Sequence, residues 1–358
     1  MPGALYLAGL LLVAFPVAAL EPAQLDQLRR LIHAEMARQR IPGLTVAVAH
    51  QGQLVWTEGF GFADLEHQVP ATERTVYRLA SLAKPITAVA VLQLAEAGQL
   101  DLDAPVQRYV PSFPQKPWPI TPRLLLGHLA GIRHYRSMEE LHNTRHYTSL
   151  LAALEQFKDD PLVSPPGVRF VYSTYGYVLL GAIVEAASRQ SFAAYLQQHI
   201  FAPAGMRDTQ VDDVYRLIPR RARGYRLNAT GEIENCVWAD NSNKIPGGGL
   251  VGTAADLVRF ALSVRNGTLL KPETVEQMWT RQRLRNGQLT HYGLGWSIED
   301  WAGQRTVGHS GGQPGVSTGL IMLPEPGIVV VVLANLERAH LAPIFTGALK
   351  VLTLSTTR

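Results

Sequence analysis

The sequence predicts an α/β (α+β) fold: one antiparallel sheet built from both chain ends and flanked by helices, with a mainly helical inserted subdomain. Strand-like runs joined by a short turn occupy residues 44–57, short β-rich runs recur after residue 292, and helical patterns fill much of 81–200. Strands at both chain ends with helices between them imply a single shared sheet. We expect one domain over 20–358, with a sheet part at about 20–80 and 250–358 and a helical part at about 81–249.

The first half of the predicted sheet follows an amphipathic helix. Apolar residues recur at helical spacing through 22–40, and Pro42 and Gly43 end this pattern. The β-rich runs 44–49 and 54–57 are separated by a turn at Gly52, which predicts a β-hairpin. A strongly apolar helix is then predicted from Ser81 to about Gly98, with the glycine as its C-cap.

The later segments complete the predicted fold. Helical patterns continue through the insertion and beyond it, where Thr253 and Asp256 resemble a capping box. These helices cover 150–158, 178–188 and 253–265. The returning strands are predicted at 293–298, 306–308, 318–322 and 328–333, and a closing helix at 341–354.

Composition excludes several classes of function. The chain has 358 residues, 33 Lys and Arg against 29 Asp and Glu, and its cations are scattered, so we expect no nucleic-acid partner. A single cysteine, Cys236, permits neither an intrachain disulfide nor a four-cysteine zinc site. His142 and His146 are four residues apart but have no evident third ligand, so no metal is predicted.

The N-terminus predicts an extracytoplasmic protein. Residues 1–20 carry no charged side chain, and an apolar run ends at Pro16, followed by Val17, Ala18 and Ala19. This is the pattern of a secretory signal peptide over 1–19, and the mature protein would be periplasmic or secreted. The alternative is an uncleaved N-terminal membrane anchor on an extracytoplasmic protein. No other segment is apolar enough to predict a transmembrane helix.

The sharpest chemical signal is the run from Ser81 to Lys84, at the predicted start of a helix. Residues three apart share a helix face, so the Ser hydroxyl and the Lys amine can meet. A Ser hydroxyl becomes a good nucleophile only when a base takes its proton. Burial and a neighbouring cation lower the pKa of a lysine and make its amine such a base.

Two further motifs accompany this pair. In the triplet Tyr172-Ser173-Thr174, a phenol near a lysine can act as a base or relay a proton. The segment His309-Ser310-Gly311-Gly312 ends a predicted strand, and its small residues let a substrate approach the backbone. An edge strand there can hold an extended acyl substrate through main-chain hydrogen bonds.

In this order the three motifs resemble those of serine β-lactamases and penicillin-binding proteins. The flanking residues are similar to the class C-like branch of that family, and most of all to mitochondrial serine β-lactamase-like proteins and their bacterial relatives. The segments that carry this likeness are 77–98, 125–131, 131–135, 166–167, 171–185 and 247–253. The resemblance runs from about residue 25 to residue 335 and implies the β-lactamase/transpeptidase-like fold.

The resemblance also implies roles for individual residues. Ser81 would be the acylated nucleophile, Lys84 the nearby base or proton relay, and Tyr172 the second acid/base. Backbone N–H groups of Ser81 and Gly312 would form the oxyanion hole. The substrate would be bound by Thr174, His309, Ser310 and Gly311. No metal and no organic cofactor are implied.

Two departures from the family pattern affect the expected substrate. Lactamases of this branch usually carry Asn where this chain has Thr174, and Lys where it has His309. We therefore expect acyl transfer on a small ester, amide or peptide, and favour a peptidase or esterase over a true β-lactamase. A histidine is partly neutral near pH 7, so activity should vary with pH between about 6 and 7 if His309 touches the substrate.

Several alternatives stay open at this stage. A DD-peptidase or penicillin-binding protein and a non-catalytic binding or scaffold protein of the same fold are rival functions. His128 is predicted to pack or cap rather than act as a base, and Arg220, Arg221 and Arg223 to lie at the surface or in ion pairs. The partner is expected to be a small-molecule or peptide substrate, and the sequence predicts no oligomeric state.

Overall fold

A computed structural model describes residues 19–353 of the chain. The predicted signal peptide, apart from Ala19, lies outside these residues. Within the described residues, no helix has both the length and the apolar character needed to cross a membrane.

The main sheet takes its strands from both ends of the chain, in the order β3-β2-β1-β12-β11-β10-β9. The strands β1 and β12 pair antiparallel at its centre, with Leu44 opposite Ala334. The fold class is therefore confirmed. The strands are β1 Gly43–His50, β2 Gln53–Asp64, β3 Val69–Pro70, β4 Tyr77–Arg78, β5 Gln210–Val211, β6 Tyr225–Leu227, β7 Ile233–Asn235, β8 Leu250–Gly252, β9 Ser297–Trp301, β10 Gln304–Gln313, β11 Val316–Leu323 and β12 Ile328–Ala334.

Helices cover both faces of this sheet and build the inserted subdomain. Most of them lie between β4 and β8, and two short sheets, β4-β8-β5 and β6-β7, connect the insertion to the rest. The helices are α1 Pro22–Gln39, α2 Ala83–Glu96, α3 Pro122–Leu126, α4 Met138–Leu141, α5 Leu150–Leu154, α6 Thr174–Ser188, α7 Phe192–Leu196, α8 Ala202–Ala204, α9 Ile245–Gly248, α10 Ala254–Arg265, α11 Pro272–Met278 and α12 Ala342–Thr353.

The two central strands carry apolar side chains on both faces, because each face is covered by helices. Val330 and Val332 belong to the core that includes residues of α1 and α12. Val329 and Val331 belong to the larger core that includes residues of α2, α6 and α10. Burying one such valine stabilises the fold by about 1.5–3 kcal/mol relative to leaving it exposed.

The segment before α2 differs from the predicted helix start. The sequence pattern placed Ser81 in the first turn of an α-helix, but Ala80–Leu82 form a 3₁₀ turn and α2 begins at Ala83. Ala80, although not a glycine, has φ +49° and is 1% exposed. This left-handed conformation costs roughly 1–2 kcal/mol for an ordinary residue, so the surrounding structure must impose it.

Candidate active site

The 3₁₀ turn that carries Ser81 is held by two strands from later parts of the sequence, β8 and β11. The N–H of Leu79 donates to the Leu250 carbonyl at 2.8 Å, and the Thr318 hydroxyl donates to the Leu79 carbonyl at 3.0 Å. These bonds fix the backbone just before Ala80, where its left-handed conformation turns the chain. Ser81 is thereby presented to a pocket of about 350 Å³ between the sheet and the helical subdomain.

Lys84 lies directly beside the Ser81 hydroxyl. Its side chain is fully buried, and its Nζ is 3.0 Å from Ser81 Oγ. The same Nζ donates to Thr174 Oγ1 at 3.1 Å and to the Gly247 carbonyl at 2.7 Å. Since these contacts leave the amine little freedom to rotate away, Lys84 is held ready for proton transfer with Ser81.

Burial lowers the pKa of Lys84 well below its usual 10.5, and the positive charge of Lys244 lowers it further. A lysine in this environment gives up its proton far more readily than one in water. The neutral amine can then take the proton of the Ser81 hydroxyl, which is the step that makes the oxygen nucleophilic.

Tyr172 approaches Ser81 from the other side. Its phenol donates a hydrogen bond to Ser81 Oγ at 2.8 Å. The residue sits just before α6, where Ser173 caps the helix by accepting from the Gly176 N–H. The Tyr172 ring packs against His128, with 4.4 Å between ring centroids.

The environment of Tyr172 indicates whether its phenol acts first as an acid or as a base. Burial raises the pKa of Tyr172 above its usual 10, and the hydrogen bond with Ser81 lowers it only in part. The phenol therefore keeps its proton at neutral pH. This favours Tyr172 as the donor of a proton, with Lys84 as the group that first accepts one.

The strand β10 forms the opposite wall of the pocket. Its partner β9 pairs with it only up to Gly308, so among the described strands none pairs with that edge from His309 to Gln313. A Cβ atom at Gly311 would come within 2.9 Å of the Ser81 backbone N. The glycine thus lets the strand approach Ser81 closely, and Ser310, Gly311 and Gly312 line the pocket together with Ser81.

His309 occupies a different environment from the one expected. It is 6% exposed and does not line the Ser81 pocket; its Nδ1 lies 2.6 Å from the Ser310 carbonyl and its Nε2 2.8 Å from the Tyr292 hydroxyl. Burial, with Lys84 nearby, lowers its pKa to about 3. The expectation that His309 titrates between about pH 6 and 7 is therefore wrong, because the buried ring is neutral in that range. Its contact with the substrate stays a prediction.

Thr174 does line the pocket and lies against Lys84. His128, which was predicted to pack or cap, is 1% exposed, and its Nδ1 accepts from the Ser173 N–H at 3.1 Å.

The three grouped arginines lie in ion pairs, Arg220 with Asp208, Arg221 with Asp212 and Arg223 with Glu66. His146 binds Asp240 rather than standing free beside His142.

Four residues near Ser81 were not singled out as site residues by the sequence. His134 and Gln313 line the pocket, Gly247 supplies the carbonyl that binds Lys84, and Lys244 lies close enough to influence it. His134 and Gly247 lie in segments that carry the family likeness, which is a usable signal. Gln313 follows the third motif directly, whereas nothing in the local sequence marks Lys244.

Lys244 is a second buried lysine beside the site. It is 1% exposed, and its Nζ donates to the Leu141 carbonyl at 2.6 Å and lies 5.2 Å from the centre of the Tyr135 ring. Burial and the charge of Arg78 lower its pKa to about 7, against the opposing effect of Asp212 and Asp240. The residue therefore connects the end of α4 to the turn before α9, next to the Ser81 pocket.

Buried neutral histidines make stability sensitive to acid. The pKa of His309 is about 3 and that of His128 lies well below 6.5, both because of burial. The unfolded chain binds protons on them near pH 6.5 and the folded chain does not. The free energy of unfolding should therefore fall as pH drops below about 6.5, by up to about 1.4 kcal/mol per pH unit for each histidine.

Urea unfolding at pH 7.5 and pH 5 would measure this loss. His309→Gln should lose less stability between the two values than the wild type, while the control His340→Gln, at an exposed position, should match the wild type. Equal stability of the wild type at both pH values would contradict the prediction.

The sequence pattern of the Beta-lactamase family matches residues 28–347. The chain is 31% identical to the serine beta-lactamase-like protein LACTB, mitochondrial, of Homo sapiens, over 88% of this chain and 77% of the human protein. It is 32% identical to penicillin-binding protein 4* of Bacillus subtilis (strain 168), over 82% of this chain and 68% of that protein.

A solved structure agrees with these sequence similarities. The octameric penicillin-binding protein homologue from Pyrococcus abyssi superposes with a TM-score of 0.79 at 27% identity, covering 93% of this chain and 77% of that one. The similarity therefore extends over the sheet and the helical subdomain alike.

Proposed function

Because the chain belongs to the beta-lactamase family of serine hydrolases, we propose that it hydrolyses a small ester, amide or peptide through an acyl-Ser81 intermediate. The observation that carries the proposal is the position of Ser81 Oγ, 3.0 Å from Lys84 Nζ and 2.8 Å from the Tyr172 hydroxyl. A nucleophile between a buried amine and a protonated phenol has both groups that two-step acyl transfer needs.

Acylation begins with the transfer of the Ser81 proton to the neutral amine of Lys84. The Ser81 oxygen attacks the substrate carbonyl carbon. The carbonyl oxygen becomes negatively charged and lies between the N–H groups of Ser81 and Gly312. Such donors contribute about 2.7–4 kcal/mol each to lowering the barrier. The bond to the leaving group then breaks, and Tyr172 gives that group a proton. The proton that Lys84 took from Ser81 then returns to the Tyr172 oxygen, so that both residues regain their starting protonation states.

Deacylation repeats the sequence with water as the nucleophile. Water loses a proton to the Lys84 and Tyr172 pair and attacks the acyl carbonyl. The Ser81 oxygen leaves and is reprotonated, which restores the starting state. Each step conserves protons within the three residues and the substrate.

Two substitutions favour ester or peptide substrates over β-lactams. Thr174 stands where lactamases of this branch usually have an amide side chain. His309 stands where they usually have a lysine, and its pKa of about 3 leaves no positive charge there at neutral pH. Without that charge the recognition of a β-lactam carboxylate is weakened.

A panel of chromogenic substrates tests the proposal. We expect the wild type to hydrolyse p-nitrophenyl esters or aminoacyl p-nitroanilides faster than nitrocefin, and Ser81→Ala to hydrolyse none of them. Faster turnover of nitrocefin would favour a true β-lactamase. Equal turnover by wild type and Ser81→Ala would place the nucleophile elsewhere. No turnover of any of these substrates by the wild type would favour a binding or scaffold protein.

A second candidate is a penicillin-binding protein or DD-peptidase. The similarity to penicillin-binding protein 4* favours it. A stable covalent adduct between penicillin and Ser81, seen by mass spectrometry, would support this candidate. Rapid ester turnover that penicillin does not inhibit would exclude it.

Tyr172→Phe should lower turnover by about 10²–10⁴-fold, the usual contribution of a positioned acid or base. The loss should be larger for an anilide than for a p-nitrophenyl ester, because the amine leaving group needs a proton and the nitrophenolate does not. The fold should survive, since the ring packing stays and the substitution removes only the hydroxyl, whose hydrogen bond goes to Ser81. Kinetics with both substrates measure the difference.

The matched control is Tyr195→Phe. Tyr195 is buried, and its hydroxyl contacts Gln93 rather than the pocket. An undiminished rate for Tyr172→Phe on the anilide would remove the proton-donor role.

We further propose a periplasmic or secreted location, on the basis of the signal-peptide pattern over 1–19. The mature N-terminus after export should begin at Leu20. An uncleaved chain in the membrane fraction would support the N-terminal anchor instead.

A further inference from the structure

Gln313, the last residue of β10, carries a buried polar group that the fold does not use. Its side chain is 6% exposed, and its Nε2 has no hydrogen-bond partner among the described residues. An unpaired buried donor costs about 1–3 kcal/mol. A methionine or leucine could fill a similar space without that cost, so the polarity of the side chain has no explanation in folding.

The position of Gln313 suggests what the amide is for. The residue lines the Ser81 pocket and also a second cavity of about 580 Å³. The two cavities share residues of β10 and Leu141, and the second continues to Glu337–Ala342 and Phe345. The catalytic pocket is therefore the inner part of a longer groove, and Gln313 stands where the two parts meet.

The lining of the two cavities indicates which part of a substrate lies in the outer one. Tyr172, the proton donor to the leaving group, lines the Ser81 pocket but not the second cavity. The leaving group must depart on the side of Tyr172. The retained acyl part then extends along β10 past Gly312 and Gln313.

We infer that the Gln313 amide, whose Nε2 is enclosed in the free protein, turns into the groove when substrate binds and donates a hydrogen bond to a second carbonyl oxygen in the acyl part of the substrate. This selects N-acyl-aminoacyl or peptide substrates over simple alkanoyl esters. The inference rests on the proposed function and narrows its substrate class. Gln313 acts as a specificity-determining residue, because an amide donor without a carbonyl partner disfavours a purely alkyl chain in the same place.

Two esters with the same p-nitrophenol leaving group test this assignment: the N-acetylalanyl ester and the pentanoyl ester, which has a chain of similar length but lacks the second carbonyl. In Gln313→Met the ratio of kcat/KM for the first over the second should fall about tenfold relative to wild type. The control Gln277→Met, at an exposed position on α11, should keep the wild-type ratio.

The outcomes separate the inference from its premise. An unchanged ratio in Gln313→Met, with both esters turned over by the wild type, would overturn the inference alone. No Ser81-dependent turnover of either ester by the wild type would overturn the proposed function as well. Urea unfolding provides a second readout: Gln313→Met should be at least as stable as wild type, and a clear loss of stability would assign Gln313 a structural role instead.

Discussion

Ser81→Ala is expected to lower kcat/KM by roughly four to six orders of magnitude, the range seen when a serine nucleophile is removed. Without the hydroxyl no acyl-enzyme can form, and the amine of Lys84 is too confined to replace it. The variant should also fail to react with a fluorophosphonate probe. The fold should be retained, because the substitution removes a single oxygen whose partners are Lys84 and Tyr172.

The three central residues should behave as a unit. Adding Lys84→Ala or Tyr172→Phe to Ser81→Ala should produce little further loss, because each acts only through the Ser81 oxygen. Losses that multiply in the double variants would mean that the residues act independently. Labelling of Ser81→Ala by the probe would place the nucleophile elsewhere.

Lys84→Met should produce the second-largest loss, about 10³–10⁴-fold in kcat/KM, near the upper end for a general base. Methionine keeps most of the side-chain volume but cannot accept a proton. In the wild type, kcat/KM should rise with pH as Lys84 loses its proton, and level off well below pH 10.5 because burial lowers its pKa. That rise should be absent from the variant.

The control for this substitution is Lys116→Met. Lys116 is a partly buried lysine whose Nζ donates to the carbonyls of Lys158 and Asp160, outside the pocket. Its variant should keep the rate and the pH profile of the wild type. A Lys84→Met profile with the same rise as wild type would show that another group is the base.

Local sequence spacing was enough to predict the strands at both chain ends and the pair of Ser81 and Lys84. The apolar runs of β1 and β12 show their strand character directly, because both faces are buried. The three-residue interval brings the hydroxyl and amine together even though Ser81 lies in a 3₁₀ turn rather than an α-helix. That turn was missed because the backbone just before the left-handed Ala80 is fixed by hydrogen bonds of Leu79 with Leu250 and Thr318, far away in sequence.

The properties that depend on burial could not be predicted from the sequence. The pKa of His309 lies far below its ordinary range because its ring is buried and the positive charge of Lys84 is nearby. Lys244 lies 160 positions after Lys84 and reaches it only through the fold. In the sequence nothing distinguishes Gln313 from other polar residues. Only the structure shows that its amide Nε2 is buried without a hydrogen-bond partner among the described residues.

The pairing of β1 with β12 places residues near 44 beside residues near 334. During synthesis the first hairpin therefore leaves the ribosome long before its neighbour exists, and its open edge must stay unpaired while nearly the whole polypeptide is made. Such distant pairing slows folding and exposes the early strands to aggregation. Newly made chains should depend on chaperones until translation has passed the last strand.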